Sequence, residues 1–356
     1  VAVVAPPWLP VPPPGYGGIE AVVAALVRGL SAAGHDVTLF AAPGSASAHA
    51  RVVPVLDRQC ADDIGRARHE ADHVRTLLDL MPHVGGFDVI HDHGDGTLLA
   101  FADRFGAPVV HTLHGPFDAQ GSAFYARHAH RARFVALSRA QLADAPAQMN
   151  AVDVIPNPIE PDEWPLCTRK HGYVLWIGRF APEKGAHLAI AAARAAGRTL
   201  VLAGPVQQGQ ARYFEREVRP HVDDSRVVYA GEVGGALKRD LFAHASALLM
   251  PISWPEPFGM VMAEAMACGT PVLALRAGST PEVVEHGVSG FVVDDPGEFS
   301  SLLPEAERLD PTAVRESALR RFGVATVAAA HEATYRRAIG LAASAAPSAW
   351  STASAS

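Results

Sequence analysis

At 356 residues the chain exceeds what one ordinary core holds, so length alone predicts two folding units. A content of 49% hydrophobic and 19% charged residues excludes a disordered or fibrous chain. The net charge of −7, divided as −5 over residues 1–160 and −2 over the remainder, excludes a surface built for nucleic acid or anionic lipid. Cys60, Cys167 and Cys268 are odd in number and far apart, which leaves neither a disulfide framework nor a zinc ribbon and fits a reducing cytoplasm. Apolar runs such as 21–30 stop well short of the ~20 residues of a membrane span, so no stable membrane association is expected. Val1 already opens on a strand pattern, so a residue or two is expected ahead of it, and no signal peptide is legible.

In chain order one pattern repeats: a short β-branched run, a turn bearing Gly or Pro, then an Ala-rich amphipathic stretch, as in βαβ units around parallel sheets. Residues 1–5 read as a buried strand and 19–33 as a helix ended by Gly34. Strands are then expected at 36–40, 88–91, 109–113, 134–137 and 152–155. A second series runs through 173–177, 199–203, 226–229, 247–250, 272–275 and 291–293, with helices between nearly all of them. Between the series, Pro156, Pro158, Pro161 and Pro165 bar a helix interior and mark a linker. Residues 1–160 and 161–323 are therefore expected to form two α/β domains. The last amphipathic helix, 324–339, could cover either one. An Ala/Ser-rich stretch at 342–356 reads as a flexible tail.

Three turns carry the chemistry. Gly17-Gly18-Ile19-Glu20 opens the first helix, where adjacent glycines let backbone amides approach a phosphate and the helix terminus adds positive potential. An ordinary tight βα turn would look the same, but the G-x-G-x-x-G spacing of a dinucleotide fold is missing, which argues against a nicotinamide enzyme. After the strand at 173–177, Gly178-Arg179-Phe180 and Glu183-Lys184-Gly185 place two cations five residues apart at a strand end, where they can converge on a diphosphate without a metal ion. A solvated Glu183 and Lys184 at a helix start is the plainer alternative, yet a lysine there opposes the helix dipole. In 251–271, Pro255 and Pro257 hold Glu256 in a loop facing the crevice, and a helix begins near Phe258 and stops at Gly269. Glu264 lies inside that apolar helix, where a carboxylate needs hydroxyl or cationic partners. A ribose diol would serve Glu264 and sugar hydroxyls Glu256; a capping Glu256 and a Glu264 paired to an internal Arg would be purely structural.

Taken together these segments resemble the family 4 retaining glycosyltransferases, along nearly the whole chain. The matching residues are Gly17-Gly18-Ile19-Glu20, Ser138 after a strand, Ile155-Pro156-Asn157, Gly178-Arg179-Phe180, Glu183-Lys184-Gly185, the pair Glu256 and Glu264 with seven residues between, and Gly287-Val288-Ser289-Gly290-Phe291. The resemblance implies a GT-B fold of two Rossmann-like domains facing each other across a cleft, with helix 324–341 crossing back to complete the N-terminal domain. It implies a nucleotide-diphosphate sugar donor, UDP-sugar favoured, bound by the C-terminal domain, and a soluble small-molecule or saccharide acceptor on the N-terminal side. By it, Arg179 and Lys184 bind the diphosphate, Glu264 the ribose and Glu256 the transferred sugar. The backbone at Pro257, Phe258, Gly259 and Met260 contacts sugar and phosphate, and His114 of His111-Thr112-Leu113-His114-Gly115 stands beside the reacting centre. No cofactor and no metal are expected. His91-Asp92-His93 with Asp95 has a metal-like density of ligands, but no complementary cluster accompanies it, and His93 reads instead as cleft rim with Ser138 and Asn157. A nucleotide-sugar 2-epimerase and a non-catalytic nucleotide-sugar binding protein are the alternatives. The Ala, Gly, Pro and Arg content suits a GC-rich bacterium such as an actinomycete, and with it an antibiotic or other natural product as acceptor. Residues 116–133 match no nameable acceptor pattern, and oligomeric state is not legible.

Overall fold

The computed structural model describes residues 1–15, 17–61 and 64–345. Strands β1 (Ala2–Val4), β2 (Thr38–Ala41), β3 (Arg51–Pro54), β4 (Ile90–Asp92), β5 (Val109–Thr112), β6 (Ala132–Ala136) and β7 (Val152–Val154) form one sheet in the order β3-β2-β1-β4-β5-β6-β7. A second sheet, ordered β10-β9-β8-β11-β12-β13, is built from β8 (Tyr173–Ile177), β9 (Thr199–Ala203), β10 (Val227–Tyr229), β11 (Ala247–Met250), β12 (Val272–Leu275) and β13 (Gly290–Val293). Every pairing is parallel. The strand order reverses beside β1 in the first sheet and beside β8 in the second, and such switch points open a crevice at the carboxyl ends of the strands. The central strands read as continuous apolar runs because helices cover both of their faces. The edge strand β3, absent from the sequence expectation, is half-exposed and carries only Val52 and Val53 between an arginine and a proline.

The chain crosses between the sheets twice, and the crossings hydrogen-bond to each other: Ile159 N–H donates to the Phe322 carbonyl (2.7 Å) and Val324 N–H to the Ile159 carbonyl (2.9 Å). Arg315 ties the same junction, donating to the carbonyls of Pro161, Trp164 and Ala267. Helix Val324–Ala345 then lies against the first sheet. Its Val324 and Ala328 abut Gly29 of helix Gly18–Ala32, and its Tyr335 reaches His91 of β4. The helix continues through Ala345, so 342–345 are helical rather than the start of a tail, in keeping with the high helix propensity of alanine. Residues 346–356 of that expected tail lie outside the described residues. Among the described residues no helix is long and apolar enough to cross a membrane.

Candidate active site

A cavity of about 350 Å³ opens where the carboxyl ends of the two sheets meet, lined on one side by Gly18, His114, Leu137 and Asn157 and on the other by the turns after β8 and β11. The turn after β8 is held from two directions. The Trp176 indole donates to the Lys184 carbonyl (3.0 Å), and Ser253 N–H donates to the Glu183 carbonyl (2.9 Å). Gly185, at φ 72°, closes the turn in the left-handed region, and a Cβ there would collide with the Pro251 carbonyl oxygen. The two cations of this turn line the cavity and each holds a carboxylate: Arg179 meets Glu183 at 2.8 Å and Lys184 meets Glu256 at 2.7 Å.

Glu256 is fixed at both ends. Its backbone carbonyl accepts from Ser279 N–H (2.9 Å), and Gly278 approaches that backbone so closely that no Cβ would fit. Its side-chain Oε2 accepts from Lys184 and, at 2.9 Å, from the Trp254 indole, whose ring lies 4.1 Å beneath the Lys184 ammonium. Pro257, Phe258, Gly259 and Met260 follow along the wall, and helix Met260–Ala267 starts there with its free N–H groups at the cavity. A second recess of about 160 Å³ shares Gly18, Gly178, Arg179 and Met260 with the first and extends to Gly17, Lys238 and Glu264. Glu264 is 3% exposed, and Lys238 Nζ sits 2.9 and 2.8 Å from its two oxygens. The carboxylate inside the apolar helix thus has its cationic partner, a lysine from helix Gly235–His244 rather than an arginine.

The opposite wall rests on a buried histidine network. His91 bridges the Tyr335 hydroxyl and Thr112 Oγ1, both at 2.7 Å. His111 Nδ1 meets Asp92 at 2.7 Å, and His93 Nδ1 meets His114 Nε2 at 2.9 Å. Asp95 accepts from Thr97 N–H. The ligand-dense stretch His91-Asp92-His93 is thereby spent on internal contacts, and among the described residues no group of three or more His, Cys, Asp or Glu is placed to hold a metal ion. Burial pulls the His114 imidazole down to about 3 and holds His91 and His93 well below the usual range, so all three are neutral at neutral pH.

The structure brings Arg179, Lys184, Glu256, His114, Gly18, Gly178, Asn157 and the 257–260 backbone to the cavity, with Gly17 and Glu264 in the adjoining recess. Two expected rim residues are elsewhere. His93 is 1% exposed and lies behind His114, because it faces inward from the end of a central strand. Ser138 is also buried, its Oγ accepting from Gln141 N–H. Trp254 at the cavity, Lys238 in the recess and Gln141 behind His114 are absent from the sequence expectation. Gln141 accepts from Leu137 N–H and donates to the carbonyls of Leu113 and Gly115, one on each side of His114. Across the junction, the Glu282 carboxylate accepts from the N–H groups of Arg139 (2.8 Å) and Ala140 (2.7 Å), at the start of the turn that carries Gln141.

Known proteins share this framework. Residues 16–163 match the family model described as Glycosyltransferase Family 4, and residues 171–305 match that described as Glycosyl transferases group 1. Among solved structures, AviGT4, a glycosyltransferase involved in avilamycin A biosynthesis, is 30% identical with a TM-score of 0.72, over 95% of this chain and 97% of that one. Sucrose-phosphate synthase from Thermosynechococcus elongatus superimposes with a TM-score of 0.80 at 20% identity, covering 96% of this chain and 99% of its own. Anabaena HepE, solved with UDP and glucose, does so with 0.71 at 20% identity, covering 94% and 99%. The D-inositol 3-phosphate glycosyltransferase of Mycolicibacterium smegmatis is 27% identical over 95% of this chain and 91% of its own length.

Proposed function

Since this chain belongs to glycosyltransferase family 4 and is a glycosyltransferase of GT-B fold, we propose that it moves a sugar from a nucleoside diphosphate donor to a small soluble acceptor, with retention of anomeric configuration and without a metal ion. The observation that carries this reading is the convergence of Arg179, Lys184, Glu256 and the amino end of helix Met260–Ala267 on one cavity, with Glu264 in the recess that continues it. The C-terminal domain, 161–323, then holds the donor, and the N-terminal domain, 1–160 completed by the last helix, faces the acceptor. Arg179 and Lys184 take the diphosphate, Glu264 the ribose hydroxyls, Glu256 the hydroxyls of the departing sugar, and the Gly17-Gly18 helix start lies across from the phosphates. As the bond from the anomeric carbon to the β-phosphate breaks, negative charge grows on the phosphate. The cations and helix N–H groups stabilise that charge more than they stabilise the intact donor. The acceptor oxygen enters on the face the phosphate leaves, and its proton passes to the departing phosphate oxygen.

UDP, the nucleotide in the HepE complex, is the first base to try. The likeness to AviGT4 supports a natural product as acceptor. Mass spectrometry of a panel of UDP-, GDP-, ADP- and TDP-sugars with candidate acceptors separates transfer, epimerisation and bare binding by their products, and the anomeric proton coupling of the product reports retention. Glu256→Gln and Arg179→Ala are each expected to slow transfer at least about 100-fold, the scale of losing one transition-state contact. Unimpaired turnover in both would remove the assignment, and turnover abolished by chelator would remove the metal-free step.

A further inference from the structure

Among the described residues His114 is the one imidazole lining the cavity, and its Nε2 is already engaged, 2.9 Å from Nδ1 of His93. One of these two nitrogens carries the shared proton and the other accepts it. His93 is sealed from solvent, and its remaining nitrogen, Nε2, meets no partner among the described residues. Two arrangements are open. Were His114 the donor, His93 would keep its own proton on Nε2, and a buried N–H would have nothing to donate to. With His93 donating from Nδ1, only a lone pair is left over. Orphaned buried N–H groups are rarer in native proteins than unmatched acceptors, which selects the second arrangement. His114 must then carry its proton on Nδ1, the nitrogen that meets no protein partner among the described residues and is left for the cavity.

We infer that His93 is a positioning residue that fixes His114 in the Nδ1–H tautomer, so that the cavity meets a hydrogen-bond donor and not a base. Because burial keeps both rings neutral, each holds one proton and the direction of donation between them is set. Resting on the proposed transfer reading, the group met by Nδ1–H is an oxygen of the bound sugar nucleotide, a hydroxyl or a phosphate. His114 then has no free lone pair with which to take the acceptor's proton, which excludes it as general base. His93, never touching substrate, acts only through the ring it orients.

The test begins on the free, full-length chain labelled with 15N-histidine. Long-range 1H–15N correlation distinguishes a protonated from an unprotonated ring nitrogen, and a His114→Gln sample assigns the His114 signals. Protonated Nδ1 and bare Nε2 are expected for both rings. His93→Asn, whose amide N–H takes the place of Nδ1–H, should keep His114 in that state, whereas His93→Leu should release it toward Nε2–H. A wild-type His114 protonated on Nε2, or one unmoved by His93→Leu, overturns the inference. On the donor identified by the sugar-nucleotide panel, His114→Asn, which keeps a donor at the Nδ1 position, should retain at least about tenfold more kcat than His114→Gln, with nucleotide affinity alike in both. The reverse order overturns the donor role and leaves sugar transfer standing. If no sugar nucleotide reacts with wild type, the transfer reading fails, and the spectra still decide the tautomer.

Discussion

Replacing His331 by leucine should remove about 2 kcal/mol of the stability that the protein loses between pH 8 and pH 5. His331 lies on helix Val324–Ala345, 4% exposed, its ring centroid 4.9 Å from that of His91 and its Nδ1 without a partner among the described residues. Burial lowers its imidazole to about 3, with Asp153 pulling weakly the other way. An unfolded-chain histidine titrates near 6.5, so below that pH the unfolded state gains a proton that the native state refuses. The stability is complete above pH 6.5 and is lost as the pH falls. At pH 5 the gap of 1.5 pH units from the unfolded value is worth about 2 kcal/mol, at 1.36 kcal/mol per unit. Glu20 and Glu70, raised by burial to about 7 and about 8, work in the opposite sense, because their native forms hold protons that the unfolded chain releases. The wild-type curve therefore mixes both signs, whereas its difference from His331→Leu isolates one imidazole. Urea unfolding of both proteins at the two pH values measures it, and free energies that fall in parallel would show that His331 is not buried as a neutral base.

Lys238→Met should cost about 3–5 kcal/mol in chemical denaturation, since it leaves the buried Glu264 carboxylate without its cation, and Glu264→Gln in the same chain should restore most of the loss. Glu282→Ala should change stability by about 1 kcal/mol or less, because the contact is exposed, yet lower kcat severalfold, since Glu282 holds the turn from which Gln141 grips both sides of His114. A wild-type kcat would break that link. Gly185→Ala should destabilise by roughly 1–3 kcal/mol and weaken nucleoside diphosphate binding, read by calorimetry, because the new Cβ drives the Lys184 turn away from Pro251.

The features legible in the sequence are those encoded by neighbouring residues. Strands β1, β8 and β11 are unbroken apolar runs bounded by turn residues, and the segments 17–20, 178–185 and 256–264 keep their glycines, cations and carboxylates close together along the chain. Two apolar residues on an exposed edge give β3 no such period. An alanine-rich composition suits both a tail and a helix, and packing of the preceding turns on the first sheet decided for helix through Ala345. Partner identity was hidden for a different reason. The carboxylate of Glu264 required a cation, but Lys238 comes from another helix, 26 residues away. His93 meets His114 across 21 residues and Glu282 meets Arg139 across 143, and no local spacing encodes either contact.

Each cation along the proposed donor path already holds a carboxylate: Arg179 with Glu183, Lys184 with Glu256, Lys238 with Glu264. A sugar nucleotide can exchange partners with such pairs, since its phosphates offer only acceptors while its ribose and sugar hydroxyls offer donors. Cations then turn to phosphate and carboxylates to hydroxyls, and with the intact donor bound no buried charge is left alone. Bare nucleoside diphosphate completes only half of the exchange, drawing Lys184 away while Glu256 finds no sugar. Re-forming the Lys184–Glu256 pair therefore favours release of the spent nucleotide. Glu256→Gln separates the two halves: it should bind nucleoside diphosphate at least as tightly as wild type, because Lys184 has lost its rival, while transferring sugar far more slowly. Weaker nucleotide binding together with unimpaired transfer would mean that this ion pair persists through the cycle and that the cations hold the diphosphate in some other way.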